Sequence, residues 1–96
     1  MLIEVATFRL AAGAGSEVFA AAERALATVV LYLQPGLVRR TAARNEDGEW
    51  LTLTMWQSRE DAERAASATA GHPVRRAADA LVDPASMVVR RYTTLD

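Results

Sequence analysis

Cysteine is absent from the 96-residue chain. Disulfides, zinc–thiolate sites and thiol nucleophiles are thereby excluded, and a cytoplasmic location is the expectation that accompanies a thiol-free chain. Lysine is absent too: all eleven basic residues are arginine, against twelve acidic ones, for a net charge near −1. Twenty alanines and a single isoleucine accompany this, so the arginine usage reads as a GC-rich coding bias and not as selection for phosphate. A nucleic-acid binder should show a net basic face, so nucleic acid is not an expected partner. Histidine occurs once, at His72, which with no cysteine argues against a transition-metal site. No apolar run approaches membrane-spanning length, and no membrane partner is expected. The N-terminal MLIEVATFRL carries Glu4 and no small-residue cleavage site, so it reads as a strand and not as a signal peptide. There is no phosphate loop, dinucleotide fingerprint or supported Ser-His-Asp arrangement, and no cofactor is expected.

What is present centres on WLTLTMWQS, residues 50–58. It alternates at period 2, with Trp50, Thr52, Thr54 and Trp56 on one face and Leu51, Leu53 and Met55 on the other. Large or β-branched side chains on both faces indicate a central strand covered on both sides. Residues 2–10, LIEVATFRL, make a first strand with Leu2, Ala6, Phe8 and Leu10 on one face and Ile3 and Val5 on the other. Ser16 is the expected N-cap of a first helix running to Leu33, with Phe19, Ala22, Leu26, Val29 and Leu33 inward. Its last turns, VVLYL, are apolar nearly all round and call for deep burial or cover by another subunit. Gln34-Pro35-Gly36 stops the helix.

Leu37 to Arg44 is an arginine-rich edge strand, and Asn45-Glu46-Asp47-Gly48 is a hairpin turn. Ser58 caps a second helix whose inward positions, Ala62, Ala65 and Ala66, are small. His72-Pro73 begins a short third helix with Val74, Ala77, Ala78 and Leu81 inward, and Ser86 to Thr94 is the last strand. The order β-α-β-β-α-β with a small extra helix predicts one α+β domain. The architecture is a ferredoxin-like βαββαβ sandwich with an antiparallel four-stranded sheet, strands 1 and 3 central and 2 and 4 at the edges. Two helices cover one face of such a sheet. The apolar groups on the other face, either Ile3 and Val5 or Ala6 and Phe8, then call for a second copy of the chain.

The chain resembles the antibiotic biosynthesis monooxygenase-like family of the dimeric α+β barrel superfamily. The resemblance rests on Gln34-Pro35-Gly36-Leu37, Gly48-Glu49-Trp50, the W-x-S-x-E-x-A junction from Trp56 to Ala62, and Gly71-His72-Pro73. It implies a homodimer whose sheets pack face to face as an α+β barrel, with a pocket between sheet and helices for a small apolar or aromatic molecule. Members oxygenate polycyclic aromatics without metal or flavin, degrade haem, or have no known activity. The haem-degrading members use an asparagine on strand 1, whereas the one asparagine here is Asn45, in the hairpin.

Trp56 is either a pocket wall for a flat ligand or a core anchor beneath helix 2. His72 is either a general base (or ligand-orienting donor) or a polar residue introducing the Pro73 helix. Trp50, Tyr32, Tyr92 and one of Arg39 and Arg40 are further candidates for ligand contact. A two-residue turn at Asp47-Gly48 sets Arg39 opposite Trp56; a three-residue turn sets Val38 there. The expected function is a cofactor-free monooxygenase with His72 as base and Trp56 as platform. A non-catalytic ligand-binding or structural dimer is the alternative, and a haem protein with His72 as axial ligand the third reading.

Overall fold

The computed structural model describes residues 1–95. Strands β1 (Leu2–Phe8), β2 (Leu37–Arg44), β3 (Trp50–Trp56) and β4 (Val88–Thr93) form one antiparallel sheet in the order β2-β3-β1-β4. The apolar strands are central and the arginine-bearing ones lie at the edges, as their composition requires. Helices α1 (Ser16–Ala25), α2 (Arg59–Thr69) and α3 (Pro73–Asp79) complete the α+β sandwich.

Directly opposed strand residues share a face. Leu2 pairs with Trp56 and Phe8 with Trp50, and all four are buried beneath the helices. Ile3, Val5, Leu51, Leu53 and Met55 occupy the other face and are half-buried. The face left without helical cover is therefore the one holding Ile3 and Val5; Ala6 and Phe8 belong to the core.

The first helix departs from expectation. Gly15, not Ser16, is the N-cap, and no side chain caps that end. The α-helix stops at Ala25, passes through a π-helical turn at Leu26–Val30 and ends in a 3-10 turn at Leu31–Leu33. Its buried row runs Phe19, Glu23, Leu26, Val30 and Leu31, while Val29 and Leu33 are 52% and 73% exposed. Phe19 and Leu26 are inward as expected; Glu23 and Val30 replace Ala22 and Val29, and Leu31 replaces Leu33, because an acid reads as outward and the helix changes its period after Ala25. Glu23 faces inward because its charge is matched there by Arg40.

Ser58 caps α2 as its position predicts, its hydroxyl accepting the Asp61 N–H at 3.1 Å. The buried face of α2 is Ala62, Ala65 and Thr69; Ala66 is exposed. Gly36 sits at φ 88°, where a side chain is strained, and a Cβ there would overlap the Asp61 carboxyl. Its carbonyl accepts the Gln57 N–H at 2.8 Å, tying the start of β2 to the β3–α2 junction.

Candidate functional site

The hairpin decides which arginine enters the interior. The Asn45 N–H donates to the Glu49 carbonyl at 2.9 Å, so three residues form the turn and Arg40 comes to lie opposite Thr54. A β-bulge at Val38 then sets Leu37 opposite Trp56. Arg39 lies opposite Met55 on the uncovered face and does not line the interior cavity. Of the two arginines left open by the sequence, Arg40 and not the expected Arg39 borders the cavity, because one step in register exchanges the two faces.

Between the covered face of the sheet and the helices lies a cavity of about 290 Å³. Its apolar wall includes Phe8, Phe19, Leu26, Leu31 and Trp56, with Ala62, Ala65 and Ala78 supplied by α2 and α3. The space exists because small alanines stand opposite the large Trp56 ring. Trp56 is 3% exposed, packs with Leu2, Ala62 and Ala65, and also lines the cavity. Trp56 is thus a core anchor beneath α2 that also borders the cavity.

Two polar clusters interrupt the apolar wall. In the first, Arg40 Nε and Nη2 donate to Glu23 Oε2 and Oε1 at 2.9 and 2.7 Å, and Nη1 donates to Thr54 Oγ1 at 2.9 Å. The side chains of Arg40 and Glu23 are only 14% and 9% exposed, and two parallel N–H···O bonds satisfy both charges. In the second, Glu4 Oε1 accepts the Trp56 indole N–H at 2.9 Å, and Oε2 accepts Arg91 Nε–H at 2.8 Å. Arg75 donates to Thr69 Oγ1 and stands 3.9 Å from Asp79, both charged groups lying along the cavity. Among the described residues no buried side-chain polar atom lacks a partner, and no group of three or more metal-ligating side chains is assembled.

The remaining expected site residues lie elsewhere. His72 is outside the cavity lining; it is the N-cap of α3, its Nδ1 accepting the Val74 N–H at 3.1 Å. Pro73 at N1 has no N–H to satisfy, so a single acceptor at the cap reaches the next donor. The expected base is therefore a capping residue. Trp50 is buried against Phe19, ring centroids 4.9 Å apart, with the Arg44 guanidinium 5.7 Å from its own ring. Tyr32 is 47% exposed, and its hydroxyl bridges the backbone N–H and carbonyl of Arg40 at 2.9 and 3.2 Å. Tyr92 pairs with Ile3 on the uncovered face. Trp50, Tyr32 and Tyr92 do not reach the cavity lining.

Glu4 and Glu23, the carboxylates of the two clusters, were not singled out in the sequence. Their signal is the placement of an acid in an apolar row: Glu4 between Leu2 and Ala6 at period 2, and Glu23 between Phe19 and Leu26 at helical period.

No protein-family model matches the chain. No curated protein matches it either. Solved structures do. SnoaB from Streptomyces nogalater, a cofactor-independent oxygenase, superposes with a TM-score of 0.82 at 21% identity, over 99% of this chain and 93% of that one. The fold is that of the antibiotic biosynthesis monooxygenase-like proteins. A Nitrosomonas europaea protein described as a "putative antibiotic biosynthesis monooxygenase" matches over the whole of both chains, at 16% identity and a TM-score of 0.79. One of the same description from Caulobacter crescentus gives 0.82 at 16% identity, over 99% of this chain and 90% of that one. The resemblance read from the Trp56–Ala62 junction thus extends to the whole architecture. At these identities it establishes fold, and the chemistry has to be argued from the cavity.

Proposed function

We propose that this chain is a cofactor-independent monooxygenase-like protein that binds a small, flat, apolar or aromatic molecule between its sheet and helices. The observation that carries this reading is the cavity itself: an apolar wall built on Trp56, interrupted by two hydrogen-bonded polar clusters. Ligand pockets are mostly apolar, with a few convergent polar groups and volumes of about 300–1,000 Å³. At about 290 Å³ this one suits a compact fused-ring molecule. The flat ligand fills the apolar part of the cavity beside the indole, and its oxygen substituents meet the polar edge.

The chemistry that fits is removal of a proton from an acidic C–H or O–H, followed by reaction of the resulting electron-rich anion with molecular oxygen. For a methylene flanked by aromatic rings the anion takes up oxygen to give a peroxide, which is protonated and loses water. One oxygen atom ends in the new carbonyl and the other in water, so the substrate supplies all the electrons. SnoaB, which has this fold, is a cofactor-independent oxygenase, and the cavity is what favours a ligand-binding role here over a purely structural one. The haem alternative is disfavoured by His72, which caps α3 and does not face the cavity.

The functional unit in this reading is a homodimer. Ile3, Val5, Leu51, Leu53 and Met55, extended by Val88 and Tyr92 on β4, make an apolar surface that the chain's own helices leave uncovered. Covering each large side chain is worth roughly 1.5–3 kcal/mol, and a second sheet related by a two-fold axis covers them all at once.

Binding is tested with the single-tryptophan variant Trp50→Phe, titrated with 1,4-naphthoquinone. Trp56 fluorescence should be quenched in a saturable way. Oxygen uptake with 1,4-dihydroxynaphthalene and anthrone then separates an oxygenase from a non-catalytic binder. Saturable binding without enzyme-dependent oxygen uptake across that panel would favour the binder.

A further inference from the structure

The proposed reaction needs a proton acceptor facing the ligand, and His72 does not supply one. We infer that Glu4 is that acceptor, with Trp56 and Arg91 as the residues that position its carboxylate. The inference rests on the reading of the cavity as an oxygenase site.

The assignment follows from the inventory of the wall. Arginine is permanently protonated and takes no proton, which removes Arg40, Arg75 and Arg91. Thr52 and Thr54 are neutral hydroxyls that do not themselves hold a proton taken from substrate; Thr54 lies opposite Glu4 in register and accepts from Arg40. Three carboxylates line the cavity: Glu4, Glu23 and Asp79. Glu23 has each oxygen bonded to Arg40 at 2.9 Å or less and is nearly buried, so a proton there would break a two-point ion pair. The Asp79 side chain is 67% exposed and opens to solvent at the rim beside Arg75. Glu4 differs from Glu23 in degree: its ion pair is single-point, to an Arg91 that is itself 50% exposed, and its second oxygen is held by a neutral indole N–H. It stands in the middle of the central strand β1, 21% exposed, with one N–H donor on each oxygen.

A carboxylate has about four lone-pair sites, so the two donors leave each oxygen of Glu4 able to accept one more hydrogen bond. The donors also fix its direction. The indole N–H holds Oε1 at the edge of the Trp56 ring, and both residues border the cavity, so a flat ligand lying beside that edge brings its substituents to the carboxylate. Arg91, on the neighbouring strand and directly opposite Glu4 in register, holds Oε2 from the other side. In the step, the substrate C–H or O–H bond breaks, its electron pair stays on the substrate, and the proton forms an O–H bond on Glu4. The same proton is returned to the peroxide formed with oxygen, which restores the carboxylate.

This geometry selects ligands whose acidic position lies at the rim of the ring system, within one hydrogen bond of the indole edge. A methyl ether at that position should bind without turning over.

The test compares the full-length protein with Glu4→Gln, reading kcat and KM for oxygen uptake with 1,4-dihydroxynaphthalene, and naphthoquinone binding separately. The side-chain amide of that variant would keep an acceptor for the indole, give up the bond from the half-exposed Arg91 and lose the ability to take a proton. The expected result is a fall in kcat of about 10²–10⁴-fold, the usual worth of a general base, with KM and quinone binding within a few-fold of the parent. Added formate should restore part of the rate to Glu4→Ala, which a purely structural carboxylate would not permit. A Glu4→Gln enzyme with unchanged kcat, in a parent that does turn over, overturns the assignment and leaves the cavity reading intact. A parent that neither binds quinone nor consumes oxygen removes the cavity reading, and the assignment with it. If Glu4→Gln fails to fold, Glu4→Asp takes its place. It keeps the charge but withdraws the carboxylate by one methylene, and an unchanged kcat there also refutes the acceptor role.

Discussion

Removing Glu23 should be among the most damaging single changes available to this fold. Glu23→Ala leaves the Arg40 guanidinium in place, 14% exposed and retaining only Thr54 as a side-chain hydrogen-bond partner. Truncating one member of a buried ion pair costs about 3–5 kcal/mol, because the partner charge stays behind without compensation. Arg40 also borders a cavity that water can enter, so the low end applies, about 3 kcal/mol. For a domain of this size that lowers Tm by about 12–24 °C. The double replacement Glu23→Leu with Arg40→Met removes both charges together and should cost less than about 1 kcal/mol, since apolar substitutes for a buried pair are often neutral or better. Urea unfolding of the parent, Glu23→Leu, Arg40→Met and the double variant closes a double-mutant cycle. A Glu23→Ala cost below about 1 kcal/mol, or a double variant as unstable as the sum of its singles, would refute the argument that the pair is buried and mutually dependent.

Other outcomes follow from the same contacts. Leu53→Glu places a charge opposite Val5 at the centre of the uncovered face; sedimentation equilibrium should show the proposed dimer split, and a parent that is monomeric at micromolar concentration would refute the dimer. His72→Ala should cost about 1 kcal/mol by loss of the α3 cap and leave quinone binding unchanged, as read by thermal unfolding and fluorescence titration. Gly36→Ala combines a strained φ with overlap on Asp61 and should destabilise by more than about 1 kcal/mol in urea titration, whereas Gly13→Ala has open space around it and only its positive φ to penalise it.

Order and type of the elements were legible in the sequence because they depend on local periodicity. The strict alternation from Trp50 to Trp56, the arginines of β2 and β4 and the Ser58 cap each depend on near neighbours, and each reappears in the fold. The Trp56–Ala62 junction likewise carried the family-level fold. Tertiary structure alone decided everything that depends on register and on pairing across the sheet. A three-residue turn and one bulge, neither separable from its alternatives in the sequence, put Arg40 inside and Arg39 outside. Glu4 and Glu23 look like misplaced acids until Arg91 and Arg40, 87 and 17 residues away, are brought against them. His72 carried the chemically richest side chain and proved to be a cap, since function depends on what a residue faces and the chain's path turned it toward α3. Local pattern fixes which way a strand alternates. Only the packed sheet determines which of its two faces meets the helices, and with it which polar groups share a cavity.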